Sequence, residues 1–419
     1  MPVSTADRLS VSTPVRAAYR RHLSEGWATL NALLGAGVET RAAGCFVYDE
    51  HDRPYLDCGG YGVYLLGHSH PRVVDAVCAQ VRRRALPSRI LLDGELAAAA
   101  QALAGVAPTG LEFVHLTTSG AEAAELALKL ARVHGRHRIV SATGGFHGKT
   151  LGALSAAGDD GYRDPFAPLL PQTVRVPFGN APALRRELAD APGRCAVLLE
   201  PVQGEGGVVV PPPGYLREVR ALCDEHDALL VLDEVQTGLG RLGAWWGCAA
   251  EQVRPDVLLA GKALGGGVVP AGAVIATPEV YAPLSRDPFL HGSTFANSPL
   301  AAAAVRETLA VLQDEQLVDA AARLGDELLV SLRAIVARRC AAQVAAVRGR
   351  GLMLGIEWRR PELGGLFVME LLRRGVLVNV SLTGKRVSRL TPPAIMGAEQ
   401  TALLLDALDT ALAAVAESA

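Results

Sequence analysis

The 419-residue chain has no excess of charge of either sign, since 41 basic side chains oppose 43 acidic ones and the formal net charge is -2. This balance excludes a bulk electrostatic attraction to nucleic acid or to an anionic membrane surface. Long uninterrupted apolar runs are also missing, so the sequence predicts no membrane-spanning helix. The first 27 residues contain no apolar core typical of a signal peptide, and we expect a cytoplasmic protein.

Metal-ligating and nucleotide-binding motifs are absent as well. The seven cysteines are scattered, without a CxxC pair or another metal-ligand spacing, which predicts free thiols in a reducing compartment and no metal site. No GxxxxGK[ST] loop occurs, because Lys262 is followed by Ala263, and no GxGxxG follows an early strand. These absences argue against a nucleotide-binding protein.

From about residue 117 onward, strand-like and helix-like segments alternate. HRIVSA, CAVLLEP, ALLVLDEV and DVLLAGKA are short apolar runs, whereas SGAEAAELALKLARVHG and YLREVRALCDEH have helical spacing. Apolar strands separated by helices predict an α/β protein with a mainly parallel central sheet covered on both faces. Ligands bind such sheets beyond the carboxyl ends of the strands.

The composition changes after Pro299, where a long Ala/Leu-rich helical region precedes short strands and a terminal helix. This pattern predicts a separate, smaller α+β domain. We expect an N-terminal segment (1–60) that joins the small domain, a large domain (61–300) and a C-terminal small domain (301–419).

Lys262 is unusual because it ends an apolar run in VLLAGKALGGG and has no charged neighbour from residue 257 to residue 267. Burial would lower the pKa of its ammonium group, and a neutral amine can form a Schiff base with a carbonyl compound. The alternative is a lysine that begins a helix and reaches water.

Asp233 ends the apolar strand ALLVLDEV, where a buried carboxylate needs a cation or a donor. It could cap a helix or form a structural ion pair. It could also be the counter-ion of a protonated pyridine nitrogen, as in pyridoxal-phosphate enzymes. Because Asp233 and Lys262 are one strand–helix–strand step apart, their strand ends can border one cleft.

Two glycine-containing motifs supply further candidate ligands. In TTSGAEA, Ser119, Gly120 and the amide of Ala121 precede a helix, where free N–H groups bind phosphate; an ordinary serine cap is the alternative. In GGFHGKT, Phe146 follows two glycines and could stack on a cofactor ring, or it could be an ordinary core residue.

Seven ordered motifs resemble those of the class III pyridoxal-phosphate aminotransferases, a fold-type I family: LTTSGAEAAELALKLAR, GGFHGKTLGALS, LLEPVQGEGGVVVPPPGYL, LVLDEVQTGLGR, GKALGGG, HGSTF and RGLMLGIE. The match runs from about residue 55 to residue 393. Within the family, FHGKTLGALSA, EPVQGEGGVVVPPPGYL and GGYGVY…GHSHP are most similar to the putrescine (diamine) aminotransferases. The resemblance implies pyridoxal 5'-phosphate as cofactor and a homodimer with shared active sites.

The resemblance also implies a role for each matching residue. Lys262 would hold the cofactor through an imine and carry a proton, and Asp233 would keep the ring nitrogen protonated. The other implied cofactor-binding residues are Ser119, Gly120 and Ala121 at the phosphate, Phe146 on one ring face with His147 in the same motif, Gln236 at the ring 3-oxygen, and Thr294 of HGSTF at the phosphate of the other subunit.

Three further residues concern the substrate. Arg389 in VSRLTPP matches the arginine that binds a carboxylate of glutamate or 2-oxoglutarate, and Glu205 in QGEGG matches the residue that covers this arginine when the substrate lacks that carboxylate. Tyr61 falls where related enzymes contact the substrate. Leu65 replaces an asparagine that is frequent at the substrate mouth.

The resemblance therefore implies an aminotransferase acting between 2-oxoglutarate/glutamate and a terminal primary amine or its aldehyde, with a diamine such as putrescine as the first expectation. One alternative is a biosynthetic enzyme that aminates a larger aldehyde, such as a sugar or polyketide intermediate, with glutamate as donor. A pyridoxal-phosphate-dependent aminomutase or epimerase is another.

Overall fold

The computed structural model describes residues 12–88 and 90–418. Its N-terminal part combines four α-helices with a small sheet. The helices are α1 (Ser12–His22), α2 (Glu25–Leu34), α3 (Pro71–Arg83) and α4 (Gly94–Val106). The strands β1 (Glu39–Ala43), β2 (Phe46–Asp49) and β3 (Pro54–Asp57) pair antiparallel in chain order. Residues 1–11 of the segment predicted as 1–60 lie outside the described residues.

A seven-stranded sheet follows and forms the centre of the fold. Its strands are β4 (Phe113–Thr117), β5 (Arg138–Ala142), β6 (Thr173–Val176), β7 (Cys195–Leu199), β8 (Leu229–Asp233), β9 (Val257–Ala260) and β10 (Gly272–Ala276). The order across the sheet is β4-β10-β9-β8-β7-β5-β6. Its helices are α5 (Gly120–Val133), α6 (Leu151–Ser155), α7 (Asp160–Arg163), α8 (Ala181–Ala189), α9 (Tyr215–Glu225) and α10 (Pro278–Arg286).

All seven strands of this sheet lie within the described residues. Among them, only β10 runs opposite to the others. It pairs antiparallel with β4 and β9, whereas all other neighbours pair parallel. The sheet is covered on both faces, because Leu230 and Leu232 belong to one buried cluster and Val231, between them, belongs to another. The predicted mainly parallel sheet is therefore confirmed. The direction of β10 has no sequence signal, since a short apolar run reads alike in both directions.

The C-terminal part is a mixture of helices and short strands. The helices are α11 (Pro299–Asp314), α12 (Leu317–Arg339), α13 (Glu362–Arg373) and α14 (Ala398–Glu417). The strands are β11 (Val344–Arg350), β12 (Met353–Trp358), β13 (Val376–Leu377), β14 (Asn379–Val380) and β15 (Val387–Leu390). An antiparallel sheet has the order β11-β12-β15-β14 and packs with α12 and α13.

Two of the contacts between this part and the rest of the chain involve whole elements. Strand β13 pairs parallel with β3 and so extends the N-terminal sheet. Helix α11 packs on α3, on α4 and on the turn Lys262–Gly265. The boundaries at residues 60 and 300 stay predictions. Within residues 12–88 and 90–418, no helix has both the length and the apolar character needed to cross a bilayer.

Candidate active site

A cavity of about 520 Å³ lies beyond the carboxyl ends of the central-sheet strands β4, β5, β7, β8 and β9. Its size falls within the range of small-molecule sites, about 300–1,000 Å³. Nine of the twelve residues predicted for the site line it: Ser119, Gly120, Ala121, Phe146, His147, Glu205, Asp233, Gln236 and Lys262. The parallel topology is what brings these distant motifs together, because the carboxyl ends of parallel strands share an edge.

Lys262 and Asp233 come from neighbouring parallel strands. Asp233 is the last residue of β8 and pairs with Leu259 of β9, three residues before Lys262. Lys262 starts a short 3-10 turn with a φ of +47°, a left-handed conformation that costs a non-glycine residue energy and recurs at functional sites. The side chain lines the cavity, as expected for a reactive lysine.

The surroundings of Lys262 lower the pKa of its ammonium group. Burial lowers the pKa of the Lys262 ammonium group, and the nearby Arg389 guanidinium acts in the same direction. The carboxylates of Glu205, Asp233 and Glu200 oppose this effect without cancelling it, so the pKa lies below its ordinary value.

Asp233 is buried and held by two donors. His147 Nδ1 donates to Asp233 Oδ2 over 2.7 Å, and the backbone N–H of Val235 donates to Oδ1 over 3.1 Å. Burial disfavours the charged form of His147, but the hydrogen bond and charge of Asp233 outweigh it and raise the pKa of His147. The carboxylate is therefore fixed at the cavity wall beside a histidine whose pKa is raised.

The first turn of α5 forms a candidate phosphate cradle. The Ser119 hydroxyl accepts from Glu122 N–H over 3.2 Å, so Ser119 caps the helix. Ser119 also lines the cavity. A Cβ on Gly120 would lie 2.7 Å from Cγ1 of Val235, so only glycine lets the helix start approach the end of β8 so closely. The first N–H groups of a helix have no intrahelical acceptor, which makes those of Gly120 and Ala121 available to an anion at the cavity.

An ion pair lies at another part of the cavity. Arg389 Nη1 donates to Glu205 Oε1 over 2.6 Å, and both side chains are almost fully buried. Gln236 Oε1 also lies 3.4 Å from Nη1. Within residues 12–88 and 90–418, neither Nε nor Nη2 of Arg389 has a hydrogen-bond partner. The pair therefore combines a covered cation with spare donors, which suits a second carboxylate.

Three predicted site residues do not line the cavity. Arg389 lies behind Glu205 in β15, and Tyr61 is half-exposed, although its carbonyl accepts from Gln236 Nε2 over 3.2 Å. Thr294 is exposed and does not line the cavity, and its contact with another subunit stays a prediction. The placement of Leu65 at the substrate mouth was wrong, because this apolar side chain is fully buried in the hydrophobic core.

Sequence reasoning missed Glu200, which follows β7 and lines the cavity. Its carboxylate accepts from Phe146 N–H and from Gly204 N–H, each over 3.0 Å. Burial and the charge of Asp233 raise the pKa of Glu200 to about 7, although His147 and the two hydrogen bonds act against them. A sequence signal for Glu200 was present, because this carboxylate directly follows an apolar run, as Asp233 does.

These features fit pyridoxal phosphate. The cavity offers an amine with a lowered pKa for an aldehyde, a fixed carboxylate for a ring nitrogen, an aromatic side chain and a helix start for a phosphate. Within residues 12–88 and 90–418, no group of three or more His, Cys, Asp or Glu side chains is placed to hold a metal ion.

Comparison with known proteins agrees with a pyridoxal-phosphate site. The family model for class III aminotransferases matches residues 35–412. The ornithine aminotransferase of Toxoplasma gondii ME49 is 32% identical, with a TM-score of 0.91 and coverage of 99% of this chain and 98% of that one. An (S)-enantioselective omega-transaminase from Thermomicrobium roseum is 29% identical, with a TM-score of 0.88 and coverage of 99% and 100%. Another structure of the Toxoplasma enzyme, also 32% identical over 99% of this chain and 97% of that one with a TM-score of 0.89, is described with partial occupancy of pyridoxal phosphate at its active site.

Proposed function

The chain belongs to the class III aminotransferases, which use pyridoxal 5'-phosphate, and from that premise we propose that it exchanges an amino group between a terminal primary amine or its aldehyde and the 2-oxoglutarate/glutamate pair. The observation that carries the proposal is the buried Glu205–Arg389 pair beside a cavity that also contains Lys262 and Asp233. A coverable cation is useful to an enzyme that alternates a dicarboxylate with a substrate that lacks the second carboxylate.

In this proposal the cofactor residues have separate tasks. Bound pyridoxal phosphate supplies an aldehyde that takes up the amino group and a ring that withdraws electrons. Lys262 would hold the cofactor covalently and would move the proton at the substrate carbon, for which a lowered pKa is suited. Asp233 would keep the ring nitrogen of the bound cofactor protonated, and His147 fixes the orientation of the Asp233 carboxylate.

The remaining cofactor residues position the ring and the phosphate. Gly120, Ala121 and Ser119 would bind the phosphate at the start of α5, and Phe146 would pack against the ring. Gln236 would contact the ring 3-oxygen, and its amide nitrogen donates to the carbonyl of Tyr61.

Arg389 and Glu205 separate the two half-reactions. With an amine or aldehyde bound, Glu205 covers the Arg389 guanidinium, and the two opposite charges neutralise each other. When glutamate or 2-oxoglutarate enters, Glu205 rotates away and the second carboxylate takes its place on Arg389, where Nε and Nη2 add donors.

The amine partner is proposed as a terminal primary amine, with putrescine first. Support comes from the diamine-type motifs and from the likeness to proteins described as ornithine and omega-transaminases. The half-exposed ring of Tyr61 at the neighbouring 3-10 turn could contact that substrate.

We also propose a cytoplasmic homodimer in which Thr294 reaches the cofactor phosphate of the other subunit. The segment around Thr294 carries strongly exposed apolar side chains, with Phe289 at 95%, and Ile90 and Leu92 are 88% and 100% exposed. Such surface is typical of a contact with another protein chain. All seven cysteines are free, in accord with a reducing compartment.

The decisive experiment is a screen of diamines, ornithine and other primary amines with 2-oxoglutarate, and of aldehydes with glutamate. We expect stoichiometric formation of glutamate from 2-oxoglutarate with at least one terminal amine and a change in the cofactor absorbance when either substrate is added alone. A Lys262→Ala protein is the matched blank. If the cofactor-loaded protein processes amino compounds without ever exchanging nitrogen with 2-oxoglutarate, an aminomutase or epimerase is favoured and the proposal fails.

A further inference from the structure

The backbone segment that lies over Glu205 is the turn between β14 and β15. This 382–384 turn consists of Leu382, Thr383 and Gly384. It makes four hydrogen-bond contacts with Glu205 and one with the carbonyl oxygen of Gly144. Its approach is very close, because a Cβ on Gly384 would lie 2.6 Å from the carbonyl oxygen of Gly206. The turn and the loop that carries Glu205 are therefore packed against each other as one unit.

One of these bonds involves the Glu205 carboxylate. The Leu382 N–H donates to Glu205 Oε2 over 3.0 Å, while Arg389 occupies Oε1. Both carboxylate oxygens are thus held in the conformation that covers Arg389. Rotation of the Glu205 side chain must break both bonds.

The other contacts involve backbone atoms and can survive that rotation. The carbonyl oxygen of Glu205 accepts from Thr383 N–H over 3.1 Å and from Gly384 N–H over 2.8 Å. The Thr383 hydroxyl lies 2.7 Å from the same oxygen and 3.2 Å from the carbonyl oxygen of Gly144. A hydroxyl has one proton, so Thr383 donates mainly to Glu205 and keeps Gly144 within reach.

Resting on the function proposed above, we propose that the 382–384 turn holds Glu205 over Arg389, and that Thr383 is a positioning residue that sets the affinity for the dicarboxylate substrate. The Thr383 hydroxyl fixes the turn so that the Leu382 N–H faces Oε2. Glu205 then rotates on a fixed backbone, and the strength of the turn determines how often Arg389 is uncovered.

The expected effect follows from the balance between the covered and uncovered states. A dicarboxylate binds only the uncovered state, so its apparent dissociation constant is the intrinsic one divided by the uncovered fraction. Without the Thr383 hydroxyl the turn no longer holds the Leu382 N–H against Oε2, and loss of that hydrogen bond, which exists only in the covered state, should raise this fraction about fivefold. The dicarboxylate would then bind about fivefold more tightly, whereas a substrate without a second carboxylate would gain nothing.

The test uses the full-length, cofactor-loaded protein and glutarate, which has both carboxylates but no reacting group. Glutarate dissociation constants are measured by titration calorimetry for wild type, Thr383→Val and Thr383→Ser. We expect the valine variant, which lacks the hydroxyl, to bind glutarate about fivefold more tightly. The serine variant keeps the hydroxyl and should match wild type. The KM for the amine should not fall in either variant.

A double-mutant cycle separates this role from a general effect on folding. In a Glu205→Ala background Arg389 is always uncovered, so Thr383→Val should no longer change the glutarate affinity. An equal change in both backgrounds, or no change in either, would overturn the proposal.

Two further arms make the outcome unambiguous. If Thr383→Val does not fold, Tyr162→Phe replaces it, because the Tyr162 hydroxyl donates to the carbonyl of Leu382 over 3.3 Å and supports the same turn. Tighter glutarate binding by this variant supports the proposal, and unchanged binding overturns it. If wild type does not bind glutarate, or Arg389→Ala binds it equally well, the proposed function itself has failed.

Discussion

His147 Nδ1 lies 2.7 Å from Asp233 Oδ2, and both side chains are buried at the cavity although they are 86 residues apart in the chain. The contact joins the loop after β5 to the end of β8. Burial of the imidazole lowers the pKa of His147, but the hydrogen bond and the charge of Asp233 outweigh burial and raise it. Asp233 is thus oriented by a residue that the sequence had marked only as part of a cofactor motif.

The charge of Asp233 should be essential even where its shape is kept. We expect Asp233→Asn to lower kcat by about 10²–10³-fold, since a neutral amide still accepts from His147 but no longer stabilises a protonated ring nitrogen. Steady-state kinetics and a pH titration of the cofactor absorbance measure this. Asp190→Asn, at an exposed helix end, is the control and should behave as wild type. Less than a threefold loss in Asp233→Asn would contradict the assigned role.

Replacement of Lys262 should remove turnover while the phosphate cradle and Asp233 remain. We expect Lys262→Ala to lose at least about 10²–10⁴-fold in rate, because the variant lacks both the covalent attachment and the group that transfers the proton. It should still bind cofactor that dialysis can remove. Mass spectrometry after borohydride treatment should show the cofactor fixed to wild type and to the exposed-lysine control Lys129→Ala, but not to Lys262→Ala. More than trace activity in this variant would remove the central assignment.

Arg389 should matter for one half-reaction only. Removing one partner of a buried, hydrogen-bonded charge pair costs about 2–5 kcal/mol, so Arg389→Ala should lower kcat/KM for glutamate by roughly 30-fold to several thousand-fold. The amine half-reaction should stay within about fivefold of wild type. Rapid-mixing measurements of each half-reaction separate the two, and the exposed Arg386→Ala is the control. Equal losses in both half-reactions would argue against alternate covering and uncovering of Arg389.

Glu200 should give the protein a pH dependence near neutrality. Its pKa is raised from 4.5 to about 7, so the folded protein holds this proton more tightly than the unfolded chain does. The stabilisation is present at low pH and is lost as the pH rises from about 4.5 through about 7. This group alone changes the free energy of unfolding by at most about 1.4 kcal/mol per pH unit in that window.

The Glu200→Gln variant cannot titrate and should lose this dependence. We expect the difference in melting temperature between wild type and the variant, both without cofactor, to become less favourable to wild type from pH 5 to pH 7.5. Calorimetry across that range checks it, with the exposed Glu279→Gln as control. A difference that stays constant with pH would show that Glu200 is ionised throughout.

Much of the site could be inferred from local patterns. The apolar strands, the capped helix after Thr118 and the polar residues at strand ends were visible as sequence, and parallel topology brings such ends to one edge. The family resemblance then supplied residues that local patterns alone would have left as ordinary loop charges, such as Glu205 and Arg389. Leu65 shows the limit of this reasoning, because a position matched by motif turned out to be core.

The amino-acid sequence by itself determined the order and type of the elements and the set of chemical groups beyond the central strands, because helix periodicity, strand hydrophobicity and caps are local properties. Tertiary structure alone decided that β10 enters antiparallel between β4 and β9, that His147 meets Asp233, and that the 382–384 turn covers Glu205. Such contacts depend on strand register and on packing between segments up to 177 residues apart, and no local pattern encodes which distant partner a buried polar group receives.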